Sequence, residues 1–236
     1  MPSFAVARLV LTTVLCGASL AASAHDLHER RPSVGQTTSP SAGYAFALPE
    51  PGSYRLPAIR HAAGGRVLDE RGQGHDLIDL LQGRITVLAF MYTRCGDICP
   101  TAALQLSLLQ DLVAKDQQLA QRMHLVSMSF DPEHDTPEAL AEYAADWRSD
   151  EPGAPEWFFL TAPDRSALTP VLAAYGQAVS AKPDPDAASG PLYHIFRAFL
   201  IDASGQIRNI YSLDFLDPDL VLTDIKTLIL DQERKD

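Results

Sequence analysis

Four short apolar runs recur along the chain from residue 84 onward, and each predicts a buried β-strand. They occupy residues 84–92 (RITVLAFMY), 123–130 (MHLVSMSF), 157–160 (WFFL) and 193–201 (YHIFRAFLI). A continuous apolar run, as opposed to an alternating one, is typical of a strand that is covered on both faces. We therefore expect these strands to form the centre of a layered domain.

The stretches between the runs carry apolar residues at the spacing of amphipathic helices, as in the series Leu104, Leu108 and Leu112. The predicted helices cover residues 100–121, 137–148 and 164–175, and a C-terminal helix follows Asp217-Pro218. A β-hairpin is predicted where Asp202-Ala203-Ser204-Gly205 separates two strand-like runs. The resulting order β-α-β-α-β-α-β-β-α predicts an α/β fold with a parallel core and an antiparallel hairpin.

The first 24 residues have the pattern of a signal peptide. An apolar run follows Arg8 and ends at Ala22-Ser23-Ala24, the small-x-small pattern that precedes signal-peptidase cleavage. We predict cleavage of residues 1–24 and hence a periplasmic or otherwise exported protein. The alternative is an uncleaved anchor, which is the one membrane contact that the sequence would allow. Residues 25–50 are rich in Ser, Pro and Gly, so we predict a flexible leader before a single domain over residues 51–236.

Charge and cysteine content narrow the range of functions. The 236 residues include 19 Lys and Arg against 30 Asp and Glu, which gives a formal net charge of −11. This sign is opposite to that of proteins that bind nucleic-acid phosphates, so no nucleic-acid partner is expected. Three cysteines, of which Cys16 lies in the predicted signal peptide, are too few for a disulfide-stapled scaffold. The other two therefore require a chemical explanation.

Cys95 and Cys99 lie where the run over 84–92 passes into the predicted helix. With Pro100 as the first helical residue, Cys99 takes the N-cap position. Unpaired amide groups and the helix dipole favour a thiolate there, so we expect Cys99 to be the more acidic thiol. The four-residue spacing lets both sulfurs point to one side of the turn. In an exported protein, both a disulfide and a metal site then stay open.

The stretch from about residue 54 to 236 resembles the Sco/SenC family of copper-handling, thioredoxin-like proteins that serve cytochrome c oxidase assembly. The resemblance rests on VLAFMYTRCGDICPTAALQLSLLQ, on MSFDPEHDTPEALAEYA and on a late histidine before a hairpin, HIFRAFLID. It implies a thioredoxin-like α/β fold with a central mixed sheet, flanking helices and a C-terminal β-hairpin plus helix. It also implies that Cys95, Cys99 and His194 are copper ligands.

The donor set that the resemblance implies is chemically suited to copper. Cu(I) is soft and prefers thiolates, and an added imidazole also accommodates Cu(II). Zinc uses the same donor types, so the ligands alone do not exclude it. One feature departs from the family pattern: the metal-binding histidine of the family usually follows an Asp and precedes a Ser or Thr, whereas His194 stands between Tyr193 and Ile195.

By this resemblance, the chain is an exported copper chaperone that binds one copper ion and delivers it to an apo-cuproprotein such as a cytochrome c oxidase subunit. The alternative is a thiol:disulfide oxidoreductase in which Cys95 and Cys99 are the redox pair and reduce cysteines of a metalloprotein partner. Both activities are compatible, because copper loading needs reduced thiols. Whether the chain is an enzyme therefore stays open at this point.

Other residues that could carry chemistry have simpler explanations. Arg94 and Asp97 are expected to adjust the charge near the cysteines or to contact a partner, and solvated surface charge is an equally good interpretation of both. The methionines of the predicted strands are expected to pack in the core and not to bind copper: Met91, Met123 and Met128. The remaining histidines of the domain are expected to be surface or structural residues: His61, His75, His124 and His134.

Overall fold

The computed structural model describes residues 47–234. The predicted signal peptide over residues 1–24 lies outside the described residues, as does nearly all of the predicted leader over 25–50, so both stay predictions. None of the helices within the described chain combines the length and the apolar character that crossing a bilayer requires.

Within residues 47–234, the strands are β1 (Arg60–His61), β2 (Arg66–Asp69), β3 (Gly74–Asp76), β4 (Ile85–Met91), β5 (Met123–Ser129), β6 (Trp157–Thr161), β7 (Val179–Ala181), β8 (Leu192–His194), β9 (Ala198–Ile201) and β10 (Gln206–Tyr211). Eight of them form one sheet in the order β1-β10-β9-β4-β5-β6-β2-β3, whereas β7 and β8 form a separate two-stranded sheet. β4, β5 and β6 run parallel, and the other neighbours in the large sheet are antiparallel. The central sheet is therefore mixed, as predicted.

The helices of the same part of the chain are α1 (Leu77–Leu80), α2 (Ile98–Ala114), α3 (Gln117–Arg122), α4 (Pro137–Trp147), α5 (Arg165–Ala174) and α6 (Pro218–Glu233), with a short 3₁₀ helix at Leu213–Phe215. α2 packs against α6 and α4, α4 packs against β6, and α5 packs against β2. The predicted α/β class, with helices flanking the sheet and a C-terminal hairpin followed by a helix, is confirmed.

The two central strands are buried along their whole length. All seven residues of β4 and all seven of β5 are buried, so the sheet is covered on both faces. This explains why the two sequences are continuous apolar runs. Met91, Met123 and Met128 lie in this core, as predicted. The two strands end at the same edge of the sheet, because β4 and β5 are parallel and paired from Ile85 to Met91.

The predicted hairpin forms between β9 and β10. The side chain of Asp202 accepts hydrogen bonds from the backbone N–H groups of Ser204 and Gln206, at 2.9 and 3.0 Å. Gly205 has a φ of +79°, a conformation that glycine adopts without strain, and its N–H donates to the carbonyl oxygen of Asp202. The sequence Asp-Ala-Ser-Gly therefore makes the tight turn for which its residue types are suited.

The helix predicted over residues 100–121 is divided in the structure. α2 ends at Ala114, and α3 starts after Asp116, whose side chain accepts hydrogen bonds from the N–H groups of Gln118 and Leu119. An aspartate in this position caps a new helix. The single long helix is therefore a wrong prediction, because the apolar spacing continues across a capping residue.

The strand predicted over residues 193–201 is also divided. β8 ends at His194 and pairs with β7 in the smaller sheet, whereas β9 begins at Ala198 and belongs to the large sheet. The side chain of Arg197, between them, donates to the carbonyl oxygen of Gly176 at 2.9 Å. The prediction of one strand is wrong, and His194 consequently lies on a small hairpin beside the main sheet.

Candidate metal centre

The cysteine turn, residues 92–99, connects the end of β4 to the first turn of α2. A hydrogen bond of 3.3 Å from the N–H of Cys95 to the carbonyl oxygen of Tyr92 closes its backbone. Cys95 and Cys99 are free thiols, and both are buried, with 6% and 2% of their surface exposed. The turn lies at the carboxyl end of the parallel strands, the edge at which α/β sheets bind ligands.

The first residue of α2 differs from the expectation. Asp97 is the N-cap, and its side chain accepts a hydrogen bond from the N–H of Ile98, so the helix begins two residues before Pro100. Cys99 is the second helical residue, and its N–H lies 3.4 Å from the sulfur of Cys95 and donates to it. The prediction that Cys99 caps the helix is therefore wrong. The amide at the helix start acts on Cys95 instead.

The pKa values of the two thiols shift in opposite directions. The hydrogen bond from the Cys99 thiol is the main cause that lowers the pKa of Cys95 to about 7, and backbone amides of Asp97 and Cys99 act in the same direction against the effect of burial. The same hydrogen bond, together with burial, raises the pKa of Cys99 far above its usual value. The expectation that Cys99 is the more acidic thiol is thus wrong. Cys95 is the residue that forms the thiolate near neutral pH.

Two charged residues of the cysteine turn have different partners. A carboxylate oxygen of Asp97 lies 3.5 Å from the sulfur of Cys95 and accepts a hydrogen bond from the thiol. Arg94 is paired with Asp131, because its Nη2 atom lies 2.7 Å from the carboxylate of that residue. Asp97 therefore adjusts the charge at Cys95 directly, whereas Arg94 ties the turn to the segment that follows β5.

His194 lies at the end of β8, and aromatic side chains surround its imidazole. Its ring centroid lies 4.7 Å from that of Phe130 and 6.2 Å from that of Tyr92, and the Tyr92 ring stands nearly perpendicular to it. The Nε2 atom is buried and has no hydrogen-bond partner among residues 47–234. Burial lowers the pKa of His194 to about 4, so the ring is neutral at neutral pH, the form that binds metal ions.

A cavity of about 400 Å³ lies between the cysteine turn and the His194 hairpin. Asp97 and Ile98 line it on one side, and Tyr193 and His194 line it on the other. Lys182 also lines the cavity, and its ammonium group lies 5.3 Å above the ring of Tyr193 and donates to Ser189. The structure therefore brings His194 to the same cavity as the turn that carries both cysteines.

The predicted ligands nevertheless do not form a finished metal site. Among residues 47–234, no three His, Cys, Asp or Glu side chains are arranged to hold one metal ion. The donor types fit copper, because the two thiols form no disulfide with each other and the Nε2 atom of a neutral imidazole has no partner in the described part of the chain. Assembly of Cys95, Cys99 and His194 around one ion requires a rearrangement of the side chains or of the hairpin.

The loop over residues 182–191 contacts the cysteine turn, and no motif in the sequence predicts this contact. A Cβ atom on Gly96 would lie 1.9 Å from the carbonyl oxygen of Ala188. A Cβ atom on Gly190, which has a φ of +85°, would lie 2.4 Å from the carbonyl oxygen of Arg94. The loop therefore approaches the turn closely at two glycines. A glycine in each segment is the only trace of this contact in the sequence.

Comparison with known proteins gives a family match over most of the chain. The model of the SCO1/SenC family matches residues 66–230. Among curated proteins, the SCO1 protein homolog of Bacillus subtilis is 24% identical over 151 residues, which cover 64% of this chain and 74% of that protein.

Solved structures share the fold. Arabidopsis thaliana ScoI with copper bound has a TM-score of 0.62 and 20% sequence identity, over 72% of this chain and 98% of that chain. BsSco, a member of the Sco family of cytochrome c oxidase assembly proteins in which a disulfide switch was identified, has a TM-score of 0.55 and 22% identity, over 77% of this chain and 96% of that chain. The likeness confirms the predicted fold.

Proposed function

The chain belongs to the SCO1/SenC family, and from this premise we propose that it is an exported copper chaperone. In this proposal, Cys95, Cys99 and His194 hold one copper ion, and the chain delivers it to an apo-cuproprotein by exchange of ligands. A cytochrome c oxidase subunit is the proposed recipient, since BsSco is a member of the Sco family of cytochrome c oxidase assembly proteins. Export is proposed from the signal-peptide pattern of residues 1–24.

The observation that carries the proposal is the state of the His194 imidazole. A buried polar atom that lacks a hydrogen-bond partner costs about 1–3 kcal/mol, and the Nε2 atom of His194 finds none within residues 47–234. A metal ion would give this nitrogen a partner. Two thiolates and one neutral imidazole form a soft donor set that suits Cu(I), and the imidazole also accommodates Cu(II).

The cavity beside His194 supports transfer of the ion in preference to permanent storage. Three protein ligands leave room for one incoming ligand, whereas structural zinc sites are closed by four protein ligands. A cavity of about 400 Å³ can admit a side chain of the acceptor protein between the cysteine turn and the hairpin. An incoming ligand can then bind the copper ion before the ligands of this chain release it.

The pKa pattern of the cysteines favours a second function, thiol:disulfide exchange. The Cys95 thiolate would attack a disulfide of the partner, form a mixed disulfide and release one partner thiol. The Cys99 thiol would then lose its proton and attack the sulfur of Cys95, which releases the second partner thiol. The partner gains two electrons and two protons, and the pair Cys95–Cys99 becomes a disulfide. A pKa of about 7 at Cys95 suits this first attack.

Copper titration of the reduced chain tests the proposal. The variants Cys95→Ser, Cys99→Ser and His194→Ala are compared with the wild type by Cu(I) competition and by thiolate-to-Cu(II) charge-transfer absorption. We expect either cysteine variant to lose both oxidation states and His194→Ala to lose mainly Cu(II). The matched control is His61→Ala, because His61 is an exposed histidine on β1 that bonds to Gln206.

Three outcomes separate the functions. If the reduced chain bound copper no tighter than the double variant Cys95→Ser/Cys99→Ser, the chaperone proposal would fail. If His194→Ala kept full thiol:disulfide exchange while its copper affinity fell, the histidine would serve copper and the cysteines would serve both activities. A chain that neither forms the Cys95–Cys99 disulfide reversibly nor exchanges with a disulfide substrate would exclude the redox function.

A further inference from the structure

We infer that Tyr92 is a positioning residue that holds the His194 segment over the cysteine turn. The inference rests on the proposed function, because it assigns His194 to the copper site. The backbone of Tyr92 forms a hydrogen bond with the Cys99 thiol, whereas its hydroxyl bonds to backbone groups of Ser189 and Leu192. The backbone of Tyr92 bonds to the cysteine turn, and its side chain bonds to the strand that carries His194.

The backbone of Tyr92 belongs to the cysteine turn. Tyr92 directly follows β4, and its carbonyl oxygen accepts the hydrogen bond from the N–H of Cys95 at 3.3 Å. The residue is fully buried, so its position is fixed by the core of the sheet. Any group that the side chain of Tyr92 contacts is therefore held at a fixed position relative to the cysteines.

The side chain of Tyr92 reaches the backbone just before His194. Its hydroxyl lies 3.2 Å from the carbonyl oxygen of Leu192 and 3.4 Å from that of Ser189, and can donate to either. The same oxygen accepts from the N–H of Leu192 at 3.4 Å. The Tyr92 ring also packs against Phe130 at 5.0 Å, beside the imidazole of His194. Leu192 and His194 are the ends of β8, so the hydroxyl holds the strand that carries the proposed ligand.

The loop before β8 is shaped to receive this hydroxyl. A Cβ atom on Gly190 would lie 2.4 Å from the hydroxyl oxygen of Tyr92, closer than any side chain permits. Gly190 also has a φ of +85°, which favours glycine. The close approach of loop and hydroxyl is therefore built into the residue types at both positions.

Loss of the hydroxyl alone should loosen β8 without opening the core. In Tyr92→Phe the ring still fills its place, but the backbone groups of Leu192 lose their contact with the cysteine turn. Hydrogen bonds of this kind contribute about 1 kcal/mol each, which corresponds to roughly a five- to tenfold change in an equilibrium. We therefore expect the proposed histidine ligand to be presented less often at the cysteines.

The experiment compares Tyr92→Phe with Tyr175→Phe. Tyr175 is a matched control, because its buried hydroxyl donates to the carbonyl oxygen and accepts from the N–H of one residue, Ala63, at 3.0 and 3.1 Å. In the copper-free chain, we expect amide exchange over residues 189–194 to rise roughly five- to tenfold in Tyr92→Phe and not in Tyr175→Phe. Cu(II) affinity should fall by a similar factor in Tyr92→Phe alone.

A second arm places Tyr92→Phe in the His194→Ala background. In that background, the loss of the hydroxyl should not lower copper affinity any further. A change that merely destabilised the fold would still lower it. Unchanged exchange and affinity in Tyr92→Phe, or equal losses in Tyr175→Phe, would overturn the inference. If His194→Ala itself left copper binding unchanged, the ligand set of the proposed function would be refuted, and Tyr92 would position no ligand.

Discussion

The cysteine turn and the His194 hairpin differ in how firmly the fold holds them. The turn follows β4, which is wholly buried, and leads into α2, which packs against α6. The hairpin of β7 and β8 is a separate two-stranded sheet, and each of its residues is half-buried or exposed. Tyr193 and Ile195, which flank His194, have 55% and 67% of their surface exposed. Two-stranded sheets of this kind have little stability of their own.

This difference in stability explains how a carrier can hold an ion and still release it. Two of the proposed ligands share one turn, and the large core of the domain fixes that turn. The third ligand lies on a small hairpin. This hairpin is held against the turn by close backbone contacts at Gly96 and Gly190 and by the hydroxyl of Tyr92. Movement of His194 therefore costs little free energy compared with movement of the cysteine turn. We expect copper uptake and release to change the hairpin first.

The largest expected effect tests whether the core that holds the cysteine turn is more stable than the His194 hairpin. Phe199 on β9 is fully buried, and its ring lies 5.1 Å from that of Tyr175 and 6.1 Å from that of Phe90. We expect Phe199→Ala to lower the free energy of unfolding by about 3–5 kcal/mol. Tyr193→Ala, on the hairpin, should lower it by less than about 1 kcal/mol. Chemical denaturation measures both, and equal losses would contradict the comparison.

The second prediction concerns acid, because the core sheet and the hairpin each contain a histidine of lowered pKa. Burial lowers the pKa of both His124 and His194 to about 4, and the charge of Arg84 adds to the effect at His124. The unfolded chain, with a pKa near 6.5, binds these protons more readily. Stability that is present above about pH 6.5 is therefore lost as the pH falls toward 4.

Protonation of the two histidines should unfold different parts of the domain. His124 is buried on β5, 2.9 Å from the hydroxyl of Thr86, so its protonation must act on the whole sheet. We expect a loss on the order of 2–3 kcal/mol between pH 6.5 and 4 from this residue. His124→Gln should flatten the pH dependence of the unfolding free energy. His194→Ala should leave most of it in place, because opening of the hairpin relieves that protonation locally. The reverse pattern would show that the hairpin is part of the rigid core.

A third prediction uses two glycines with similar backbone angles. Gly190 and Gly72 have φ values of +85° and +76°, but a Cβ atom on Gly72 would meet no atom of the described residues within 4 Å. Gly72→Ala should therefore cost about 1–2 kcal/mol of stability from the backbone alone. Gly190→Ala should in addition push the loop away from Tyr92 and Arg94, and Cu(II) affinity should fall by about tenfold or more. Equal copper affinities in the two alanine variants would show that the close approach has no role in binding.

The sequence was sufficient to predict the elements that are buried in the core or closed by local hydrogen bonds. The continuous apolar runs of β4 and β5 predict wholly buried parallel strands, and the strands are wholly buried. The sequence Asp202-Ala203-Ser204-Gly205 predicts a tight turn, and the turn forms. In these elements the local pattern and the tertiary packing favour the same structure.

The sequence was insufficient where tertiary contacts determine which residues form an element and with which strand they pair. β1, β2 and β3 are short, and their few apolar residues give no period, so no strand was predicted there. The apolar character of residues 193–201 is typical of one strand, but pairing with β7 draws β8 away from the large sheet. The helix starts at Ile98 because the side chain of Asp97 caps it. Cys95 is the more acidic thiol mainly because the Cys99 thiol donates a hydrogen bond to it. The resemblance named the candidate ligands but gave no such geometry.

The last prediction tests whether the cysteine turn sets its own chemistry independently of the hairpin. The pKa of Cys95 is lowered to about 7 chiefly by the thiol of Cys99 and against the effect of burial, and the hydrogen-bonding groups that shift it belong to residues 95–99. In Cys99→Ala, the pKa of Cys95 should rise toward its ordinary value of about 8.5, so that the thiolate fraction at pH 7 falls by roughly tenfold. In His194→Ala, the midpoint should stay near 7 even where greater access speeds the reaction. The pH dependence of Cys95 alkylation measures both midpoints. A midpoint that moved with His194 would mean that the hairpin, and not the turn alone, controls the thiol.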